Sequence, residues 1–104
     1  MVTEKRKPSH DLESFKRAFN RTDGVSIATS ALRSAAALGL NRRGIGEIIQ
    51  TMERQHFYKS MTSYADKTVW QDVYHVPSEL GVLYVKFTAG VVTEFLLLSF
   101  KERD

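Results

Sequence analysis

The side chains of this chain that could carry out chemistry are mainly those of lysine, tyrosine, glutamine and histidine, and two short segments, 57–62 and 70–74, are rich in them. The chain has no cysteine, which excludes a disulfide framework and a thiolate metal site. Its three histidines are scattered, and no carboxylate stands at the spacing expected of a metal cage. Motifs of serine hydrolases and of dinucleotide-binding loops are missing as well. The sequence therefore predicts chemistry without a metal or a cofactor, based on proton transfer and positive charge.

These segments belong to a longer run, FYKSMTSYADKTVWQDVY (57–74), which resembles the signature of the motility quorum-sensing regulator (MqsR) toxin family. The resemblance extends to SALRSAAALGL (30–40), LYVK (83–86) and SFKE (99–102), in matching order and spacing. Two features depart from the family pattern. His75 stands where relatives carry arginine, and residues 41–55 match loosely. These departures bear on base selectivity and antitoxin contacts more than on the chemistry.

The resemblance implies the toxin of a type II toxin–antitoxin system, an endoribonuclease (mRNA interferase) that cleaves single-stranded mRNA at short GC-containing sites. It implies a RelE-like fold and a cognate antitoxin that binds zinc with its N-terminal part and DNA with its C-terminal part. The catalytic positions of the family, carried over one by one, are Lys59, Gln71, Tyr84 and Lys101. The positions expected to contact RNA beside them are Met61, His56 and His75.

The residue types at these positions suit RNA cleavage on physical grounds. The 2′-hydroxyl of RNA can attack its own neighbouring phosphate if a group accepts its proton, another protonates the leaving 5′-oxygen, and positive charge stabilises the phosphorane. Lys59 and Lys101 could converge on one site, where mutual repulsion would lower the pKa of one of them and make a neutral amine base conceivable. Tyr84 could donate or relay a proton, and Gln71 could orient a hydroxyl or a phosphate oxygen.

Two other functions fit the same residues. The first is a non-catalytic RNA- or ribosome-binding module that uses a basic and aromatic sheet face. The second is a protein-binding chain whose nuclease site has decayed. Taken singly, each site residue is more often structural or solvated than catalytic, and only their joint occurrence within the matched motif favours the nuclease. Trp70, Tyr58 and Tyr74 are interpreted mainly as packing residues, although any of them could stack on a base.

Length and composition predict one small domain over residues 1–104, acting in the cytoplasm without membrane contact. With 104 residues, 42 % of them hydrophobic, the chain can form one modest core. The apolar run 95–98 is far too short to cross a bilayer. Residues 1–8 are polar and basic, and we expect a flexible tail there, not a secretory signal. A formal net charge of +3 favours polyanions as partners.

The first half of the chain predicts three helices, because apolar residues recur there with helical spacing. They are expected over residues 12–20, over residues 31–38, and after Asn41. Thr29 or Ser30 is the expected cap of the second helix, and Gly39 its end. A short strand is predicted between the first two helices, over residues 25–27.

The second half of the chain predicts an antiparallel sheet, since aromatic and β-branched residues alternate between turn signals. The expected strands are 56–63, 69–75, 82–88 and 91–101. Helices followed by such a meander indicate an α+β fold, with the helices packed on one face of the sheet. The period of two assigns the helix-covered face to Leu83, Val85, Phe87, Leu96, Leu98 and Phe100. Lys59, Gln71, Tyr84 and Lys101 are expected together on the opposite face.

Overall fold

The computed structural model describes residues 2–103 and contains three α-helices in that range, two of which begin at a side chain that accepts a hydrogen bond from a free backbone amide. They are α1 (Leu12–Phe19), α2 (Thr29–Ala37) and α3 (Arg42–Gln50). Asp11 caps α1 by accepting a hydrogen bond from the Ser14 amide at 3.0 Å, and Asn41 caps α3 through the Gly44 amide at 2.9 Å. The expected cap of α2 by Thr29 or Ser30 is wrong. The helix begins at Thr29, so its N-cap residue is Ala28, whose side chain cannot accept a hydrogen bond.

Gly39 ends α2 as predicted. Its φ of 83° lies in the left-handed region that favours glycine, which turns the chain after the helix. After α3, a short 3-10 helix (Arg54–His56) leads into the sheet.

Six strands form one sheet within the described residues. In chain order they are β1 (Glu4–Lys5), β2 (Val25–Ile27), β3 (Phe57–Thr62), β4 (Trp70–Ser78), β5 (Gly81–Ala89) and β6 (Phe95–Glu102). Their order across the sheet is β1-β3-β4-β5-β6-β2, and every neighbouring pair is antiparallel except β2 with β6, which is parallel. The predicted α+β class, with helices that precede a mainly antiparallel sheet, is confirmed.

The described part of the N-terminal segment, residues 2–8, differs from the flexible tail expected over residues 1–8, of which Met1 lies outside the described residues. Glu4 and Lys5 pair with Met61 and Ser60 of β3, so that β1 forms one edge of the sheet. Further along, the fully buried Asp72 accepts hydrogen bonds from the backbone amides of Ser9 and His10 at 2.8–3.1 Å. A buried carboxylate requires such partners, and this requirement fixes the segment along the sheet.

The core lies between the helices and one face of the sheet, and the alternation in β5 predicts its side chains correctly. Leu83, Val85 and Phe87 are all completely buried. Phe15 of α1 stacks on Phe87 with ring centroids 3.8 Å apart. Ile45 of α3 is completely buried in the same cluster. One cluster therefore joins the helices to the sheet.

The predicted alternation in β6 is wrong for Leu96 and Leu98. Phe95 and Leu97 join Phe100 in the core instead. The cause is a bulge: Lys86 pairs with Ser99 and Phe87 with Leu97, which leaves Leu98 as an extra residue without a partner. One extra residue reverses the facing of every side chain before it, because the side-chain period of a strand is two.

Candidate active site on the open face of the sheet

The sheet face turned away from the core, called the open face below, carries all four residues expected to be catalytic. Tyr84 of β5 pairs directly with Lys101 of β6. Between β3 and β4, Lys59 pairs with Val73, and Met61 with Gln71. Directly paired residues share a face, and so do residues two apart on one strand. The open-face residues around the expected site on β3 to β6 are Lys59, Met61, Gln71, Val73, His75, Tyr84, Lys86, Ser99 and Lys101. The shared face expected from the alternation is therefore observed.

A groove of about 360 Å³ lies at one end of the open face. Its lining residues are Tyr58, His75, Tyr84, Lys101, Glu102 and Arg103. The rings of Tyr58 and His75 stack at 4.2 Å, and those of His75 and Tyr84 are 6.0 Å apart. The Lys101 ammonium lies 5.4 Å from the Tyr84 ring. Imidazole, phenol and ammonium groups therefore line one groove.

A second bulge explains why Tyr58 reaches this groove. Phe57 pairs with Tyr74 and Lys59 with Val73, so Tyr58 is the extra residue of β3. Phe57 packs against the core, and the bulge leaves Tyr58 free to stack on His75 on the other side of the sheet. The Arg6 guanidinium also lies near the Tyr58 ring, 5.4 Å from its centroid.

Lys59 lies beside the groove and is held by an acidic partner. Its ammonium forms an ion pair with Glu4 of β1 and lies 5.5 Å from the Tyr58 ring. The hydrogen bond from Lys59 is the largest cause of a lowered pKa at Glu4. The Lys59 side chain is only 18 % exposed, so most of it lies against the protein and not in solvent.

Burial shifts the pKa values of the two central groups of the groove in opposite directions. It raises the pKa of Tyr84, although the nearby Lys59 charge opposes this shift. Burial lowers the pKa of His75, and the positive charges of Arg103 and Lys59 lower it further. Near neutral pH, Tyr84 is therefore a protonated phenol that can donate, and His75 is a neutral imidazole that can accept a proton.

The structure separates the other expected site residues from this group. Gln71 and its partner Met61 share the open face, but Gln71 is four residues before His75 on β4, a distance of about 13 Å. His56 does not line the groove. Its Nδ1 accepts a hydrogen bond from the Glu53 amide at 3.0 Å, which caps the 3-10 helix.

Sequence reasoning missed three contributors to this face as site residues. The sequence predicts a tail at Glu4 and a packing role for Tyr58. Lys86 carried a usable signal, since its position two residues after Tyr84 places both side chains on the same face. No local sequence pattern predicts the bulge that turns Tyr58 toward His75.

Among residues 2–103, no three histidine, aspartate or glutamate side chains lie together in a way that could hold a metal ion. No helix in that range is long and apolar enough to cross a membrane.

Comparison with known proteins supports the resemblance seen in the sequence. The sequence model of the family described as "Motility quorum-sensing regulator, toxin of MqsA" matches residues 7–102. The chain is 41 % identical over 100 residues to a protein of Escherichia coli (strain K12) named mRNA interferase toxin MqsR. This alignment covers 96 % of the chain and 99 % of that relative.

Proposed function

The chain belongs to the motility quorum-sensing regulator toxin family, and on this premise we propose that it is a toxin that cleaves single-stranded mRNA. The observation that carries the proposal is the groove in which His75, Tyr84 and Lys101 lie side by side. These groups offer a proton acceptor, a proton donor and a positive charge, the three functions that RNA cleavage by the 2′-hydroxyl requires.

The proposed reaction begins when the neutral His75 imidazole accepts the proton of the 2′-hydroxyl. The 2′-oxygen forms a bond to the adjacent phosphorus, and the bond from phosphorus to the 5′-oxygen breaks. Tyr84 donates its proton to that leaving oxygen, and Lys101 stabilises the phosphorane and the phenolate that remains. The products are a 2′,3′-cyclic phosphate and a 5′-hydroxyl. No step requires a metal ion, since protein side chains supply both the proton transfers and the charge.

The outlying site residues have supporting parts in this proposal. Lys59 adds positive charge beside the groove once the phosphate replaces Glu4 as its partner. Gln71 and Met61 lie about 13 Å farther along the open face and contact neighbouring nucleotides. The sequence predicts that His75, where the family pattern has arginine, affects base selectivity more than the chemistry. Its position in the groove beside Tyr84 supports a part in proton transfer as well.

The biological setting follows from the same premise. We infer one toxin domain over residues 1–104, because a single core cluster contains residues from Leu12 to Phe100. The target, mRNA, places its action in the cytoplasm. Its partner is a cognate antitoxin that inhibits it, with the zinc-binding and DNA-binding parts implied by the resemblance.

Controlled expression in bacteria tests the proposal. The wild-type chain should stop growth, and co-expression of the antitoxin encoded beside it should restore growth. Tyr84→Phe should allow growth at equal protein levels, because it removes the proton donor and keeps the ring. Normal growth of cells that contain large amounts of folded wild-type protein would contradict the toxin assignment. Growth arrest by Tyr84→Phe as strong as by wild type would instead favour a non-catalytic RNA- or ribosome-binding function.

A further inference from the structure

Lys86 lies near the centre of the open face, and neither the reaction above nor the family resemblance gives it a role. It pairs with Val73 of β4 and Ser99 of β6, and it is two residues, about 7 Å, from Tyr84 on β5. Its side chain is partly buried. The position is adjacent to the groove without being part of its lining.

No acidic partner accompanies this charge. Among residues 2–103, no carboxylate oxygen lies within 4.0 Å of the Lys86 ammonium. The charged groups that act on it are two other lysines, Lys101 and Lys59. Burial, and then these two like charges, lower the pKa of Lys86. A partly buried cation beside like charges and without an acidic partner is unfavourable for the protein alone, and an anion bound from outside would relieve this cost.

The arrangement around Val73 shows where that counter-ion would sit. Val73 is completely buried although it lies on the open face and outside the core cluster. Its direct neighbours across the sheet are Lys59 on one side and Lys86 on the other. The methylene stems of these lysines are the groups placed to cover it. The Lys59 ammonium is paired with Glu4 of β1, so the Lys86 ammonium is the charge beside Val73 that has no acidic partner within the described residues.

We propose that Lys86 is the centre of an anion-binding subsite that holds a phosphate of the RNA backbone next to the one that is cleaved. This inference rests on the proposed function, because it takes the groove around Tyr84 as the place of cleavage. A phosphodiester carries one negative charge with two free oxygens, and an ammonium group is a compact donor suited to bind it. The subsite orders the strand across the sheet, from the groove toward Met61 and Gln71.

The test measures binding of a short 2′-O-methyl RNA, which cannot be cleaved by this mechanism, at several salt concentrations. Lys86→Met should weaken binding about tenfold or more and reduce the slope of log K against log salt by about 0.7, the value for one phosphate of a single strand. Arg33→Gln is the matched control, because it removes one exposed positive charge from α2, which packs against the other face of the sheet. It should change binding much less.

A second prediction for Lys86→Met concerns its thermal stability, and a merely structural role of Lys86 would predict a different result. Lys86→Met should be at least as stable to heat as the wild type, because it removes an unpaired and partly buried charge. Weaker RNA binding together with unchanged or higher stability supports the subsite. If Lys86→Met fails to fold, Lys86→Gln serves as the replacement and should show the same loss of affinity.

Three results would overturn the inference. The first is a Lys86→Met variant that binds the RNA with wild-type affinity and salt slope. The second is an equal loss in Arg33→Gln. The third is wild-type protein that binds inorganic phosphate while its RNA binding does not depend on Lys86. A wild-type chain that binds RNA through Lys86 but never cleaves unmodified RNA would contradict the proposed function and leave the subsite standing.

Discussion

At the scale of single residues, the groove pairs two groups whose protonation is set by the same cause. Partial burial makes charge unfavourable, so it keeps the Tyr84 phenol protonated and the His75 imidazole neutral. Their ring centroids are 6.0 Å apart on neighbouring strands, so a phosphate that lies on the open face above them could contact both groups. Neither group could perform both proton transfers equally well in one protonation state. The pair therefore supplies both proton transfers of the proposed reaction.

Removal of the proton donor should cause a large loss of rate. We expect Tyr84→Phe to lower the cleavage rate of a defined RNA by about 10²–10³, with a smaller effect on binding, because the ring remains. Lys59→Ala should lower the rate by a similar factor through lost charge stabilisation. Gln71→Ala should have a smaller effect if it only positions the strand. Tyr64→Phe is the control, since this tyrosine is 88 % exposed in a loop outside the groove. Wild-type rates in both Tyr84→Phe and Lys59→Ala would contradict the assigned roles.

The carboxylate of Glu4 should compete with RNA for Lys59. The two side chains form an ion pair at the edge of the open face, and a phosphate that approaches Lys59 must displace Glu4. Glu4→Gln is therefore expected to tighten RNA binding several-fold at low salt, with a smaller difference at high salt. Glu13→Gln is a suitable control, because Glu13 is an exposed acid on α1. Weaker binding by Glu4→Gln would show that Glu4 positions Lys59 for RNA instead of blocking it.

At the scale of elements, sequence periodicity predicts what regular strands do and fails where they are irregular. The alternation in β5 assigns Leu83, Val85 and Phe87 to the core correctly. The same rule fails in β6. Residues 95–98 are all apolar, so they show no alternation that could reveal the bulge at Leu98. Register depends on pairing with a neighbouring strand, which a local pattern does not contain.

The N-terminal strand illustrates the same limit. A polar, basic segment gives no hydrophobic signal. Two residue pairs with β3 hold β1, and the chain after β1 is held by hydrogen bonds from the Ser9 and His10 amides to Asp72. These partners are more than 50 residues away in sequence, as the separation of Glu4 and Lys59 also shows. Contacts of that range determine the edge of the site, and composition alone cannot predict them.

Asp72 should be the residue on which this N-terminal segment most depends. Asp72→Asn replaces one acceptor oxygen by a donor that faces backbone amides, so we expect a loss of about 1–3 kcal/mol in the free energy of unfolding, measured with urea. Asp23→Asn, at an exposed position in the turn before β2, should change stability by less than about 0.5 kcal/mol. A neutral Asp72→Asn would indicate that the Ser9 and His10 amides find other partners.

At the scale of the whole molecule, the sheet divides stability from chemistry. One face packs on the helices through a continuous apolar cluster, and the open face is left for lysines, tyrosines and a histidine. The four residues expected to be catalytic could be named because the sequence resembles a known family, and their roles stay a prediction. Their spacing could not be predicted: the sheet brings Tyr84 and Lys101 together and leaves Gln71 about 13 Å from His75. Such spacing is set by register and bulges.

The lowered pKa of His75 should make stability depend on pH. Below its ordinary pKa of about 6.5, the unfolded chain binds a proton at this position more readily than the folded protein does, so stability should fall as the pH drops from 7 toward 5. His75→Gln should lose less stability over this interval. Urea unfolding of both proteins at several pH values measures the difference. Equal pH dependence would show that His75 titrates normally in the folded protein.

The central claim is that this chain cleaves RNA with its own side chains and the 2′-hydroxyl of the substrate. The most direct measurement is incubation of the purified protein with a defined single-stranded RNA in excess chelator, followed by analysis of the new ends. We expect cleavage in chelator, 2′,3′-cyclic phosphate and 5′-hydroxyl ends, and no cleavage of DNA of the same sequence. A requirement for magnesium or zinc, or ends that carry a 5′-phosphate, would contradict the account.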